Sequence, residues 1–395
     1  NDWGRLDMTS ELSSLCSYAK GKVSVDTLSK RNYVSTENMM PNKGGIVDAG
    51  DLPSAQYTQQ YIKDDILVSN IRPYFKKIWM ADDDGGCSND VLVFRADRGC
   101  DSTFLYYILA NDAFFNYASA TSKGTKMPRG DKTAIMQYKV PCFNYETQLR
   151  IGKLLRSIDD RIAVNKKIND NLQRQLRTIF KAEFTDNPEL EKMTQIPLSE
   201  LCHVVTKGTT PTTLGKPFVE SGIIFIKAES ILADHSLDKS KFAFIDEETN
   251  ALLKRSVIHA GDIVFTIAGT LGRFALIDDN ALPANTNQAV AIIRADAEKV
   301  LPEYIYTCFI GEWHTDYYAK RVQQAVQANL SLTTIKSLPI PVLDKAKMDE
   351  YLRLILPLIK AIKGNEAQNE KLAALRDALL PKLMSGEIDV SAVQL

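Results

Sequence analysis

The sequence predicts a mixed α/β (α+β) fold of two globular domains, each followed by a long helix, the two helices pairing as an antiparallel coiled coil. Three observations carry that reading: an internal repeat along the whole chain, a 4-3 apolar spacing in two segments, and short strand-like runs punctuated by Gly, Asn and Asp turns elsewhere.

The repeat is read from matches that keep one order. Leu12-Ser-Ser-Leu-Cys16 returns as Leu198-Ser-Glu-Leu-Cys202, Asp65-Ile-Leu67 as Asp262-Ile-Val264, and Arg95-Ala-Asp97 as Arg294-Ala-Asp296. Each Arg-Ala-Asp closes an apolar strand, Val91–Phe94 or Ala289–Ile293. A Tyr-rich stretch that reads as an amphipathic helix follows in each copy (Phe104–Tyr117, Tyr304–Tyr318), then a Pro-bounded strand (Tyr138–Pro141, Leu338–Pro341). The late offset settles at 200 residues, dividing the chain into domains at 1–143 and 186–343 and long helices at 144–185 and 344–395.

In the first helix Ile151, Leu155, Ile158, Ile162, Asn165, Asn169, Leu172, Leu176 and Ile179 step alternately by four and three, the seam of a coiled coil. In the second, Ile355, Leu358, Ile362, Asn365, Asn369 and Leu372 take the same steps, continuing through Leu375, Leu379 and Leu383 after a one-residue shift. Polar seam residues cost stability and can fix register. Antiparallel packing about a pseudo-twofold axis would set Asn165 against Asn369 and Asn169 against Asn365. The bland alternative is a solvated polar stretch. Pro357 removes a helical hydrogen bond, so the second helix is expected to bend or break before Leu358.

Composition excludes several classes. With 48 basic and 49 acidic residues the chain is nearly neutral, and only 144–185 is clearly basic, with nine Lys and Arg against five Asp and Glu. A nucleic-acid binder this neutral must focus its charge in clefts or borrow it from a partner. Charged residues interrupt every apolar run before membrane-spanning length. No basic-then-apolar leader opens the sequence, and six scattered cysteines without a C-x-x-C pair fit thiols of a cytoplasmic protein. The four histidines lack metal-ligand spacing, Ala268-Gly-Thr-Leu-Gly-Arg273 is no phosphate loop, and no nucleophile elbow stands out.

Binding remains. Polar and basic residues in Gly-rich turns are the candidates for contacting DNA: Lys20, Lys22, Asn70, Arg72, Lys76, Lys123, Thr125, Lys126 and Arg129 in the first domain. In the second they are Lys207, Thr209, Thr210, Arg273, Asn287, Gln288, Gln327 and Asn329. Arg and Lys suit guanine edges, Asn and Gln suit adenine, and Lys and Thr in Gly loops suit phosphates. The bland reading of each is a solvated loop.

The order domain, helix, domain, helix resembles the specificity subunit of type I restriction-modification systems over essentially the whole chain. Tyr33-Val-Ser-Thr-Glu-Asn-Met39 with Pro41-Asn-Lys-Gly-Gly45, Ile66–Pro73, Ser122–Arg129, Lys207–Pro211 and the tail Asn369–Glu387 carry the likeness. The resemblance implies two target-recognition domains, each binding one half of a bipartite, asymmetric double-stranded DNA site. It implies spacer helices that dock two modification subunits, which bind S-adenosylmethionine and methylate adenine, with restriction subunits as further partners and no cofactor or catalysis in this chain. A helix of about 36 residues spans roughly 54 Å, so the helices could act as a ruler between major grooves about 34–36 Å apart per turn. The competing readings are a coiled-coil scaffold that binds proteins and an enzyme with an unfamiliar site.

Overall fold

Short runs of buried Val, Ile, Leu and Phe, broken by Gly, Asn and Asp turns, form the strands of a computed structural model that describes residues 9–188, 193–322 and 329–390. The chain divides into two compact units, Asn1–Ile162 with Lys371–Leu395, and Ala163–Glu370. Each unit thus includes part of each long helix.

Unit 1 contains β1 (Thr9–Glu11), β2 (Cys16–Tyr18), β3 (Lys22–Ser24), β4 (Tyr33–Val34), β5 (Tyr57–Tyr61), β6 (Ile66–Ser69), β7 (Ile78–Met80), β8 (Gly85–Cys87), β9 (Val91–Ala96) and β10 (Lys139–Pro141). β2-β9-β6-β7 is an antiparallel sheet, β3-β5-β8-β4 a mixed one, and β1 pairs with β10. Helices α1 (Ser102–Ala110), α2 (Asp112–Ala120) and α3 (Lys132–Met136) precede the long α4 (Tyr145–Phe180), which Lys181–Thr185 extends as a π-helical turn.

Unit 2 repeats the plan. Its strands are β11 (Thr194–Pro197), β12 (Cys202–Lys207), β13 (Ile223–Ile226), β14 (Ala243–Ile245), β15 (Ile263–Thr266), β16 (Phe274–Leu276), β17 (Ala284–Thr286), β18 (Val290–Ala295) and β19 (Pro339–Val342). The β12-β18-β15-β16 sheet matches β2-β9-β6-β7 strand for strand, and β11 pairs with β19 as β1 does with β10. Helices α5 (Glu247–Leu252), α6 (Pro302–Ile310), α7 (Thr315–Val322) and α8 (Leu332–Lys336) lead to α9 (Lys345–Met384).

The long helices begin alike. Asn144 Oδ1 accepts the Thr147 amide at 2.8 Å and Asp344 Oδ1 accepts the Lys347 amide at 3.0 Å, both satisfying otherwise orphaned donors. Ile151 and Leu155 of α4 join Leu380, Leu383 and Met384 of α9 in the core of unit 1. Leu176 and Phe180 of α4 join Tyr351, Ile355, Ile359 and Ile362 of α9 in that of unit 2.

Three expectations need correction. The helix does not end at Pro357: α9 runs unbroken for 40 residues. Pro357 and Arg353, whose carbonyl loses its helical donor, are both exposed, so the gap in the ladder lies on the solvent side while the buried Ile355 and Ile359 hold the helix. Each Tyr-rich stretch is two helices rather than one, because Asn111 turns extended and caps α2, and Gly311 with left-handed Glu312 (φ 62°) ends α6. Leu375 is 48% exposed instead of lining the seam; Arg376 turns inward there to meet Asp159.

Among the described residues no helix is long and apolar enough to cross a membrane, and no His, Cys, Asp or Glu group is placed to hold a metal ion. The six cysteines are unpaired; Cys16, Cys87 and Cys308 are buried, whereas Cys142 is exposed.

Candidate nucleic-acid interface

Both units build the same three-way junction at the end of the strand that begins Asp-Ile. In unit 1 the Asn70 amide, just past β6, donates to Asp90 O at 2.8 Å, and Asn70 O accepts the Gly130 amide at 3.1 Å. In unit 2 the Ile267 amide, just past β15, donates to Ala289 O at 2.8 Å, and Ile267 O accepts the Leu330 amide at 2.9 Å. The sequence candidates cluster on these junctions, with different side chains in each unit.

In unit 1 the segment after β6 lies against the loop ahead of α3. The Arg72 amide donates to Pro128 O at 2.8 Å, Lys123 and Arg129 exchange backbone bonds at 2.8 and 2.9 Å, and the Arg72 guanidinium reaches Lys126 O at 3.4 Å. Lys123, Thr125, Lys126 and Arg129 are exposed on that loop. Carboxylates moderate the charge: Asp131 takes Lys123, Asp90 takes Arg129 at 3.0 Å, and Asp112 takes both Lys43 and Lys76 at 2.9 Å. The hydrogen bond from Lys123 holds the Asp131 carboxyl below the ordinary range. Burial opposes the Asp112 charge, but Lys76 and Lys43 outweigh it and lower that pKa too.

Sequence reasoning missed Asn42 and Lys43. Their amides donate to Phe75 O and Lys76 O at 2.8 Å, docking the Pro-Asn-Lys-Gly-Gly turn on the junction. Asn42, Lys43, Arg72 and Lys76 all have left-handed φ, between 50° and 61°. Non-glycine residues pay for that conformation, so this loop pair stores strain where its cations sit. The turn also leaves Tyr74 and Phe75 exposed, at 52% and 39%. The turn residues were visible in sequence; their docking partner, some 30 residues away, was not.

Three candidates in this unit are not on the exposed face of the junction. Asn70 is only 7% exposed, and it joins the junction through its backbone amide and carbonyl. Lys20 and Lys22 are exposed at the edge strand β3 of the mixed sheet, and the structure does not tie them to the junction.

In unit 2 Lys207–Thr210 continues β12 onto the junction. The Gly208 amide donates to Asn287 O at 3.1 Å, and Gln288 Oε1 accepts the Thr210 amide at 3.2 Å and hydroxyl at 2.5 Å. Only glycine fits at 208, because a Cβ there would lie 1.7 Å from Thr286 O. Asn287 Oδ1 caps its own loop through the Ala289 amide at 3.0 Å. Lys207 and Gln288 are exposed, while Thr209 and Thr210 are half-buried. Arg255, a further missed cation, donates to Lys207 O at 3.4 Å. Arg273 is half-buried and spends its guanidinium on Ile231 O at 3.2 Å, bracing the loop after β15. Asn329 is exposed beside Leu330 at the junction; Gln327 lies outside the described residues.

The helix asparagines of unit 2 contact one another. Asn165 Nδ2 donates to Asn369 Oδ1 and Asn365 Nδ2 to Asn169 Oδ1, each at 2.8 Å, and Asn169 Nδ2 reaches Ile362 O at 3.2 Å. The reversed numbering of these pairs sets α4 and α9 antiparallel there.

Comparison with known proteins agrees with this architecture. The family model described as the type I restriction modification DNA specificity domain matches twice, over residues 8–174 and 191–372. The type I restriction enzyme MjaIX specificity subunit of Methanocaldococcus jannaschii is 24% identical over 74% of this chain and 70% of its own length. The HindI specificity subunit of Haemophilus influenzae is 23% identical over 90% of this chain and 94% of its own. The crystal structure of the type I restriction-modification S subunit from M. genitalium shares the fold, with a TM-score of 0.56 at 16% identity over 95% of this chain and 96% of that one. Two matched domains in sequence, the same strand order in both units, and a shared junction with divergent side chains mean that the chain belongs to the type I restriction-modification DNA specificity family.

Proposed function

We propose that each unit reads one half of a bipartite, asymmetric DNA site through its junction loops. The observation that carries this is the equivalence of the two junctions: one backbone frame, hydrogen-bonded alike, presents Arg72, Lys123 and Arg129 in one unit and Lys207, Thr210, Asn287 and Gln288 in the other. A common frame with different donors and acceptors is what two readers of different base sequences require. Lys76, Thr125, Lys126, Thr209 and Asn329 serve phosphate contacts around these loops, Lys20 and Lys22 serve them apart from the junction, beside β3, and Arg273 and the Asn70 backbone hold the loops in place.

α4 and α9 set the separation of the half-sites and dock two methyltransferase subunits, and the asparagine pairs fix their register. The methyltransferases hold S-adenosylmethionine and modify adenine; restriction subunits complete the cleaving form. This chain contributes recognition and acts in the cytoplasm. Its near-neutral charge is supplemented by the basic surface of its partners, because phosphate neutralisation supplies much of DNA affinity.

The test is co-expression with the methyltransferase subunit followed by genome-wide mapping of methylated adenines. One asymmetric motif with a fixed unspecified gap is expected. Salt-independent binding, or methylation without a bipartite motif, would refute the reading.

A further inference from the structure

The duplication creates a pairing problem that the asparagines leave unsolved. At the 200-residue offset Asn165 corresponds to Asn365 and Asn169 to Asn369. Two α4 helices from two copies of the chain, antiparallel in the same register, would therefore also set Asn165 against Asn169. Two α9 helices would likewise set Asn365 against Asn369. A carboxamide is donor and acceptor at once, so these pairs fix register without distinguishing like helices from unlike ones.

In unit 1 the seam carries charge. Arg376 Nη1 of α9 donates to Asp159 Oδ1 of α4 at 2.7 Å, and the Tyr107 hydroxyl of α1 donates to Asp159 Oδ2 at 2.6 Å. The charged side chains are only 26% and 27% exposed. Burial works against the Arg376 charge, but Asp159 more than restores it and the pKa is raised.

At the same offset Arg376 corresponds to Leu176, Asp159 to Ile359 and Tyr107 to Thr307, all buried in unit 2. Pairing α4 with a second α4 would place Asp159 against leucine. Pairing α9 with a second α9 would place Arg376 against isoleucine. Each arrangement removes the interhelical partner: Asp159 keeps only the Tyr107 hydroxyl and Arg376 only its neighbour Asp377, at 2.8 Å, so a half-buried charge faces an apolar side chain, which is costly.

We propose that the Tyr107–Asp159–Arg376 cluster makes helix pairing heterotypic, admitting α4 with α9 and rejecting like with like. Tethering in one chain, with its high effective concentration, then favours the chain's own partner helix.

The test uses the full chain. Tyr107→Phe, Asp159→Ile and Arg376→Leu together give unit 1 an apolar seam like that of unit 2. Two differently tagged copies are unfolded, refolded together and analysed for mixed-tag dimers by affinity capture and light scattering. The triple variant should fold, by near-UV circular dichroism, and yield about tenfold more mixed dimer than the native chain. A folded triple variant no more dimeric than the native chain overturns the proposal. If it does not fold, one copy carrying Asp159→Arg is refolded with another carrying Arg376→Asp. Only the mixture lets each helix meet an opposite charge, so mixed dimers should exceed those from either variant alone. An equal yield from the mixture and the single variants overturns the proposal as well.

Discussion

Asp65 and Arg95 form a two-point ion pair, Nε to Oδ1 at 2.8 Å and Nη2 to Oδ2 at 2.7 Å. Asp262 and Arg294 repeat it in unit 2, both bonds at 2.7 Å. The two motifs by which the repeat is recognised, Asp-Ile and Arg-Ala-Asp, thus touch on neighbouring strands. Each carboxylate also accepts a turn amide, Ile62 or His259, tying the strand to its preceding turn.

Asp262 is fully buried, so removing its partner strands a charge. Arg294→Met is expected to cost about 3–5 kcal/mol in urea unfolding. Replacing both residues, with Asp262→Leu added, should recover most of that loss. An unchanged midpoint in the single variant would contradict a structural role for the pair.

Gly208→Ala should disturb recognition by unit 2, because the added Cβ collides with the Thr286 carbonyl. The loop must then move away from Asn287 and Gln288. Methylome mapping with this variant is expected to show weakened or relaxed selection at one half-site only. Loss at both halves would count against independent readers.

Alanine at Lys126, which is exposed and whose side chain the structure places outside the ion pairs of its loop, should weaken DNA binding at all sequences. If it meets a phosphate, the slope of log affinity against log salt should fall by about one. Arg129→Ala should instead alter base preference if the guanidinium leaves Asp90 for a base edge, at about 1–3 kcal/mol. Titrations across a salt series separate the two.

His314 and His235 give unit 2 a pH dependence. Burial lowers each imidazole from 6.5 to about 4. The folded state therefore holds fewer protons than the unfolded chain between those values, and stability falls as pH drops from about 6.5 to about 4. His314 sits edge-on among Phe265, Phe274 and Phe309, so His314→Phe keeps the ring packing and should flatten the slope. Melting temperatures from pH 4 to 8 test this; an unchanged slope would assign the effect elsewhere.

Inserting about one helical turn in α4 should change the gap between half-sites and leave their sequences intact. Altered half-sites in the methylome would refute the spacer role.

The sequence alone determined the architecture: two copies of one unit, two long helices, and asparagines at matching steps of both. Those features rest on periodicity and local turn chemistry, which neighbouring residues express without tertiary help. It also located the loops of the candidate interface, since Gly, Asn and Pro mark turns wherever they fall. Only the tertiary structure decided which loops meet and which side chains are spent holding them. Asn70 is buried and bonds Gly130 through its backbone, Arg273 is taken by the Ile231 carbonyl, and Asn42 and Lys43 dock on Phe75 and Lys76. The inward turn of Arg376 beside an exposed Leu375 is of the same kind: Asp159, 217 residues away, supplies the opposing charge. Long-range partners of this sort follow from packing between distant segments, and no local pattern in the chain encodes them.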